Sequence, residues 1–520
     1  MRTRWIAALA ALGLLSGCAS APIKKADLPV LDTADADVLR GCYACLKRAR
    51  DTYQRVAVGK ARPLVVVRLF QSEVLLALRE RELALDASAS FTRARALVPD
   101  LPPTINGADM LTMAESVPAD DYGRPTAETQ AFRRAMSSRL LQVDSFLEGL
   151  PSTGLNAPVQ QYLAVAVDCA YPTRGPRAPG SPPRQSAVSK LPADAAPLVQ
   201  YRAGICGRVD RARLERVRAA VPEFVETSYF IGRLAVSEVQ QGGGTKARDL
   251  SAESYAAFPQ SPSVTMMNGT FNRLTGDSRA ALRFYDETLV LAPLHDKAMM
   301  GRVEALSYLK RHDEAIAAAD DYINRRLDGL YYAYYWRAWN EHVLQRLPDA
   351  RRDIEQAKAM ASDGRIHTLA GIIEHDQDDL DPAERDLKIA RSLSDGGRNC
   401  TAAWYLGLVY MKRRAWMDSG STFEAAMSCY ADSAADDERA IAAMEANADL
   451  DPEFRTRQIA SLRVVLKEDR GQQYSAALNA SNFYATGGAY AKARPLLDMA
   501  AADPTLADKI AVLREFLKDK

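Results

Sequence analysis

Residues Cys400–Ser433 read CTAAWYLGLVYMKRRAWMDSGSTFEAAMSCYADS. Trp404, Tyr405, Leu406 and Gly407 precede Tyr410 by about one helical turn. A basic turn follows before Trp416, and Phe423 and Ala426 sit on a second helical stretch. Small residues let two helices approach, and large ones fill the space between them. The pattern returns at an interval of about 34 residues through the C-terminal half. One unit runs from about Gly364, with Ala370-Gly371 and then Ala383, Leu387 and Ala390. Another spans Tyr331 to Asp363, with Ala338, Ala350, Ile354 and Ala357. A unit from Asp296 contains the turn Arg311-His312-Asp313-Glu314-Ala315-Ile316. A unit from Pro262 has Gly269, Gly276-Asp277, Ala281, Tyr285 and a closing Pro293.

The sequence of a large residue, Leu-Gly, Tyr, a later aromatic and an alanine resembles the tetratricopeptide (TPR) signature. Ser419 departs from it, since the family usually has alanine there. An irregular unit starts near Val225, with Gly232, Ala247 and Pro259. Its turn, Gly242-Gly243-Gly244, lacks the preceding strand and the G-K-S/T order of a phosphate loop. A last unit covers Tyr474 to Asp503, with Tyr484, Gly487-Gly488, Tyr490, Ala493, Leu497 and Ala500. Ile510, Leu513 and Phe516-Leu517 then mark one face of a capping helix. The resemblance implies an all-α fold: a TPR α-solenoid of about six to seven helix-turn-helix units over 223–520. An N-terminal helical region over 35–171 and a Pro-rich loop with a connecting segment over 172–222 precede it.

In that N-terminal region, helical spacing predicts helices over Asp35–Val58, Pro63–Leu85, Ser88–Leu97, Ala127–Leu147 and Ala157–Cys169. The stretch from Pro99 to Pro125 reads as irregular. Pro172 to Pro197 is rich in Pro, Ser, Gly and Arg and reads as an exposed loop.

The N-terminus carries Arg2 and Arg4, an apolar run from Trp5, and then Leu15-Ser16-Gly17-Cys18. A basic start, a short apolar core and a small-residue site read as a secretory signal. The run is shorter than the roughly 20 residues that a membrane-spanning helix needs. The four residues ending in Cys18 resemble the lipobox of a bacterial lipoprotein. The implied organisation is a signal peptide over 1–17, a palmitate-bearing Cys18, and a tether over 18–34. With Ala19 after the cysteine, the resemblance favours anchoring in the outer membrane, facing the periplasm.

The chain has 520 residues, with 67 basic and 66 acidic side chains. Without Arg2 and Arg4 the balance is 65 to 66. A nucleic-acid binder concentrates positive charge on one face, and no such block occurs, so no nucleic-acid partner is expected. Besides Cys18 there are six cysteines: Cys42, Cys45, Cys169, Cys206, Cys400 and Cys429. An even number suits disulfides in an oxidising compartment, and six permit fifteen pairings. Proximity in sequence suggests 42 with 45 and 169 with 206. In the repeat register, Cys400 opens a first helix and Cys429 closes the antiparallel second, which sets 400 beside 429. The Cys42-Tyr-Ala-Cys45 motif lacks a thioredoxin-like context and the following His of a haem site, so a structural bridge is the favoured reading.

No catalytic constellation is evident. His367 and His375 share a helix without other metal ligands at a suitable spacing. Asp376, Asp378, Asp379 and Asp381 lack an EF-hand's glycine and closing Glu. No enzyme activity, cofactor or metal is expected. An envelope enzyme would need an unrecognised site between Pro99 and Cys206. The strongest functional feature is aromatic: Tyr331, Tyr332, Tyr334, Tyr335, Trp336 and Trp339 crowd one helix. The TPR resemblance places Tyr332, Tyr335, Trp339 and His342 on the inner face, with Tyr229, Met266, Met300 and Trp404 from neighbouring units. Tyr334, Trp336 and Ala338 are expected to pack between helices. The lysine–asparagine clamp of chaperone-tail receptors is missing, because Met266, Thr270 and Gly301 stand there. The expected function is a membrane-anchored extracytoplasmic scaffold that grips a protein partner. The alternative is a carbohydrate-binding lipoprotein of a surface uptake system.

Overall fold

The structure is a computed structural model. It describes residues 28–57, 63–117, 156–170, 188, 191–192, 194–206, 209–239, 246–327, 329–393, 399–447, 450 and 452–520. The lipobox, the helix expected over Ala127–Leu147, the glycine turn at 242–244 and most of the Pro-rich loop lie outside these residues. Secondary structure among the described residues is helical throughout. No helix among them is long and apolar enough to cross a membrane. The chain forms two compact units, Met1–Leu234 with Asp249–Met267, and Ala235–Arg248 with Asn268–Lys520.

In the first unit, one expected helix is two. Leu28–Arg40 and Tyr43–Val56 are separated at Gly41, whose φ of +75° is left-handed and ends the first helix. Residues 28–34, which the sequence reading counts in a tether, belong to this helix, and Leu31 and Ala34 are buried in the core. Pro63–Glu82, Ser88–Leu97 and Asn156–Ala170 match their expected helices within a few residues. The expected irregular stretch after Pro99 contains a helix, Gly107–Ser116. Asn106 caps it by accepting the Asp109 N–H at 3.2 Å.

The boundary after the first unit also falls later than the expected 223. Arg218 bonds both carboxylate oxygens of Glu253 at 2.7 and 2.9 Å, Phe258 packs edge-on to Tyr43, and Ser261 donates to the Leu83 carbonyl. These contacts tie Asp249–Met267 to the first unit.

The unit's centre is ionic. Arg79 is fully buried, with its guanidinium 2.6 Å from Glu82, 2.9 Å from the Gly41 carbonyl and 3.9 Å from the Tyr201 ring centroid. Burial pushes Glu226, 3.7 Å from Arg79, up to about 7, against the pull of that cation.

The second unit is built of helix hairpins. First helices start at Pro262, where the stretch to Met267 counts with the first unit, and at Asp296, Leu330, Gly364 and Cys400, which sets intervals of 34, 34, 34 and 36 residues. Their partners are Ser278–Leu291, His312–Asn324, Leu347–Met360, Leu380–Leu393 and Trp416–Ala446. Each hairpin turn contains a left-handed residue at the same register: Gly276, Lys310, Gln345, Asp378 and Arg414, with Gly488 in the last. Hairpins close on small residues. A Cβ on Gly407 would lie 2.7 Å from the Phe423 ring, and one on Gly371 would lie 2.5 Å from Leu387. Ser419, the departure from the family pattern, is fully buried and donates to the Gly407 carbonyl at 2.9 Å.

The C-terminal units differ from expectation. The helix carrying Cys429 continues to Ala446 instead of ending there, and the next helix begins at Pro452, well before Tyr474. Arg463–Glu445 at 2.9 Å and Arg470–Glu438 link these two long helices, and Ala434 and Ile441 are buried. Tyr490–Ala500 and the final helix Ala507–Leu517 complete the unit; Ile510, Leu513 and Leu517 are buried as the capping reading expects, but Phe516, expected on the same face, is exposed.

Gly407→Ala tests the closure. Alanine gains about 1 kcal/mol of helix propensity, while overpacking costs about 1–3 kcal/mol. The ring contact wins, so the urea midpoint falls. Gly471→Ala, where a Cβ meets open space, raises it.

Candidate functional site

The helix Leu330–Val343 begins after Gly329, another left-handed residue. Tyr332, Tyr335, Trp339 and His342 recur at i, i+3, i+7 and i+10, which aligns them on one face. Trp336 and Ala338 point inward and are buried. The Tyr332 and Tyr335 rings are nearly parallel, 3° apart in plane and 6.2 Å between centroids. Trp336 packs edge-on to both, and Tyr308 packs edge-on to Trp336 at 5.8 Å. The Tyr332 hydroxyl donates to Glu304 Oε1 at 2.8 Å, and Arg365 stands 5.7 Å over its ring. Burial and then Glu304 push Tyr332 up to about 12, so the hydroxyl keeps its proton. On the same helix face Trp339 is 38% exposed, and Tyr308, which packs on Trp336, is 62% exposed.

His342 belongs to a hydrogen-bonded bridge between repeats. Its Nε2 lies 2.8 Å from Asp376 Oδ2, and His375 Nδ1 lies 2.9 Å from Asp376 Oδ1. Burial pushes Asp376 up, but hydrogen bonds from the two imidazoles outweigh it and hold the carboxyl below its ordinary range. The Tyr405 ring closes on His375, edge-on at 5.6 Å.

The eight sequence candidates do not form one lining. Tyr229 and Met266 belong to the first unit and are buried there. Met300 is buried in the second unit, and half-buried Trp404 packs edge-on to Phe423. Tyr332, Tyr335, Trp339 and His342 are brought together. Sequence reading missed Tyr308, Glu304 and Arg365 as members of this surface. The repeat interval carried the signal for one of them, because Tyr308, His342 and Asp376 are spaced by 34 residues.

Behind this face, consecutive hairpins enclose carboxyl pairs. Asp353 is held by Arg337, which also bonds Asp320, and Glu341 lies beside Asp353. In the next hairpin Asp386 bonds Lys358 at 2.7 Å and His367 at 2.6 Å, with Glu374 beside it. Burial, then the neighbouring aspartate, raises both glutamates.

The three cysteine pairs are joined as Cys42–Cys45, Cys169–Cys206 and Cys400–Cys429. Among the described residues, one group has metal-ligand geometry, formed by Cys42, Cys45 and Glu223.

No family model matches the sequence, and no curated protein matches it. Solved structures do resemble it. A tetratricopeptide repeat protein from Parabacteroides merdae is 14% identical, over 44% of this chain and 87% of that one, with a TM-score of 0.36. YrrB, described as a TPR protein with an unusual peptide-binding site, is 14% identical over 34% of this chain and 91% of its own, with a TM-score of 0.29. The APC/C hetero-tetramer Cut9–Hcn1 gives 13% identity over 91% of this chain and 96% of that one, with a TM-score of 0.35. The chain carries a TPR-type α-solenoid. Its 34-residue hairpin interval and its repeated left-handed turn establish this directly.

The enclosed glutamates give the solenoid a pH dependence. The folded chain holds these protons more tightly than the unfolded chain does. Their contribution is therefore full below the ordinary glutamate range and drains away as pH rises through the raised folded values. Melting followed from pH 5 to pH 9 falls on the alkaline side, and Glu341→Gln with Glu374→Gln flattens that fall relative to wild type.

Proposed function

We propose that this chain is a membrane-anchored extracytoplasmic scaffold, and that its TPR solenoid captures a protein segment on the face formed by Tyr308, Tyr332, Tyr335 and Trp339. The observation that carries the reading is an exposed Trp339 on the same helix face as the stacked Tyr332–Tyr335 pair. Aromatic anchors with little side-chain freedom to lose are favoured at interfaces. Glu304, Asp376 and Arg365 supply polar groups at its margin for the partner's backbone. Catalysis forms no part of this reading.

Trp339→Ala weakens partner capture by about 2 kcal/mol, roughly thirty-fold in Kd, while the melting temperature stays within a degree or two of wild type. The partner is identified by photo-crosslinking in cells from position 308, where the tyrosine is exposed. Unchanged capture by the Trp339→Ala variant removes the face from the function. The flat exposed indole also suits stacking on a sugar ring. Glycan retention by the purified chain, with no protein adduct in cells, would favour the carbohydrate reading instead.

The anchoring rests on Leu15-Ser16-Gly17-Cys18 and on the three disulfides, which suit an oxidising compartment. Several acyl chains on one cysteine, at about 0.8 kcal/mol per buried CH2, hold a protein stably at a bilayer. Cys18→Ser abolishes labelled-palmitate incorporation and moves the chain from the outer-membrane fraction to the soluble one. Continued membrane association of that variant would overturn the anchor.

A further inference from the structure

Gly41 turns the chain so that Cys42 becomes the N-cap of the helix Tyr43–Val56. The Cys42 sulfur accepts the Cys45 N–H at 3.0 Å, and both cysteines are fully buried. Glu223 reaches this point from 178 residues further along the chain and sets its Oε1 3.5 Å from Cys45 Sγ. One ligand atom from each of the three side chains lies within 4.8 Å of the others. The Glu223 side chain is 43% exposed, so the cluster has one open side.

While the cysteines are bridged, their sulfurs carry no charge and the pair is a staple. A dithiol reductant changes this. It passes two electrons and two protons to the bridge, the S–S bond breaks, two thiols form, and the reductant leaves as its own disulfide. We propose that reduction of this bridge creates a zinc site, in which the Cys42 and Cys45 thiolates and the Glu223 carboxylate hold the cation. The incoming cation displaces the two thiol protons. A water takes the fourth position, on the open side.

Geometry supports this assignment. Tetrahedral zinc with Zn–S of about 2.3 Å and Zn–O of about 2.0 Å places sulfur and oxygen about 3.5 Å apart, the separation already present between Cys45 and Glu223. Two cysteines separated by two residues at the head of a helix also have a usual zinc-ligand spacing.

Charge supports it independently. Asp37 and Glu223 carry two negative charges beside the cysteines. Arg48 answers both, at 3.0 Å from Asp37 and 2.9 Å from Glu223, and Arg40 lies 3.3 Å from Asp37 and 4.0 Å from Glu223. That set is neutral. Two buried thiolates would add two uncompensated negative charges, which is costly in an enclosed position. A divalent cation cancels them. Arg48 also fixes the Glu223 carboxylate through both of its oxygens.

The test uses the full chain, oxidised or reduced with a phosphine that does not compete for metal, and titrated with cobalt as a spectroscopic substitute for zinc. Thiolate-to-cobalt absorption and helicity are recorded on the same samples. The reduced chain is expected to bind cobalt with a thiolate band that zinc bleaches, and the oxidised chain to show none. Cys42→Ser abolishes the band and Cys400→Ser leaves it. Glu223→Gln weakens binding by at least about tenfold. If reduction lowers helicity, cobalt restores it. A reduced chain without the band, a band that survives Cys42→Ser, or an affinity unmoved by Glu223→Gln would overturn the site.

Discussion

Three hairpins of the solenoid close where a large side chain of the second helix seats on a glycine of the first. Phe423 lies on Gly407, Leu387 on Gly371, and Tyr285 on Gly269. Tyr285 is shared, since the same ring also faces Gly301 in the following repeat. One ring therefore sets the spacing within a hairpin and between hairpins. The close approach fixes how each first helix is rotated. That rotation decides which of its side chains face outward; in the hairpin that carries Tyr332, Tyr335 and Trp339, Ala338, Ala350 and Ile354 form the closing cluster, and Tyr335 packs against it. The left-handed turn residue at one register in every hairpin enforces the same geometry from the loop side.

The two units solve the problem of specifying one structure differently. The solenoid repeats a local contact, and polar pairs about one repeat apart, such as His342 with Asp376 and Lys412 with Asp378, hold neighbours in register. Such partly exposed pairs contribute little individually. The first unit has no period to exploit. Its helices converge on Arg79, a buried cation that requires Glu82, the Gly41 carbonyl and the aromatic rings in fixed places. A buried ion left without its partners is strongly unfavourable, so alternative packings are penalised even where apolar burial would tolerate them.

What could be read in the sequence follows this division. The glycines, rings and alanines of the repeats were legible because one spacing serves every hairpin. The hairpin extension between Asp432 and Arg470 was not, because Ala-rich helices joined by Arg463–Glu445 and Arg470–Glu438 carry no signature beyond helical propensity. Gly41 looked like one more residue in a helical pattern, and only its left-handed φ shows the break. The candidate face was half legible. Tyr332, Tyr335, Trp339 and His342 share it because they lie on one helix. Tyr229 does not, because register transferred from another repeat counts positions and cannot see that a neighbouring Phe230 and the surrounding core enclose the ring. Nothing in the local sequence marks Glu341 and Glu374, because burial of a glutamate depends on partners that lie elsewhere in the chain.

An exposed tryptophan by itself says little, since isolated apolar side chains are common on protein surfaces. Trp339 differs in the company it keeps on its helix face. The Tyr332 hydroxyl is tied to Glu304, its ring is covered by Arg365, Tyr335 is stacked beside it, and Trp336 wedges both rings from the core side. None of these rings has to be ordered when a partner arrives. Side-chain ordering is one of the main terms opposing association, at about 0.5–1.5 kcal/mol for each immobilised flexible side chain. A surface already ordered by its own solenoid avoids that cost.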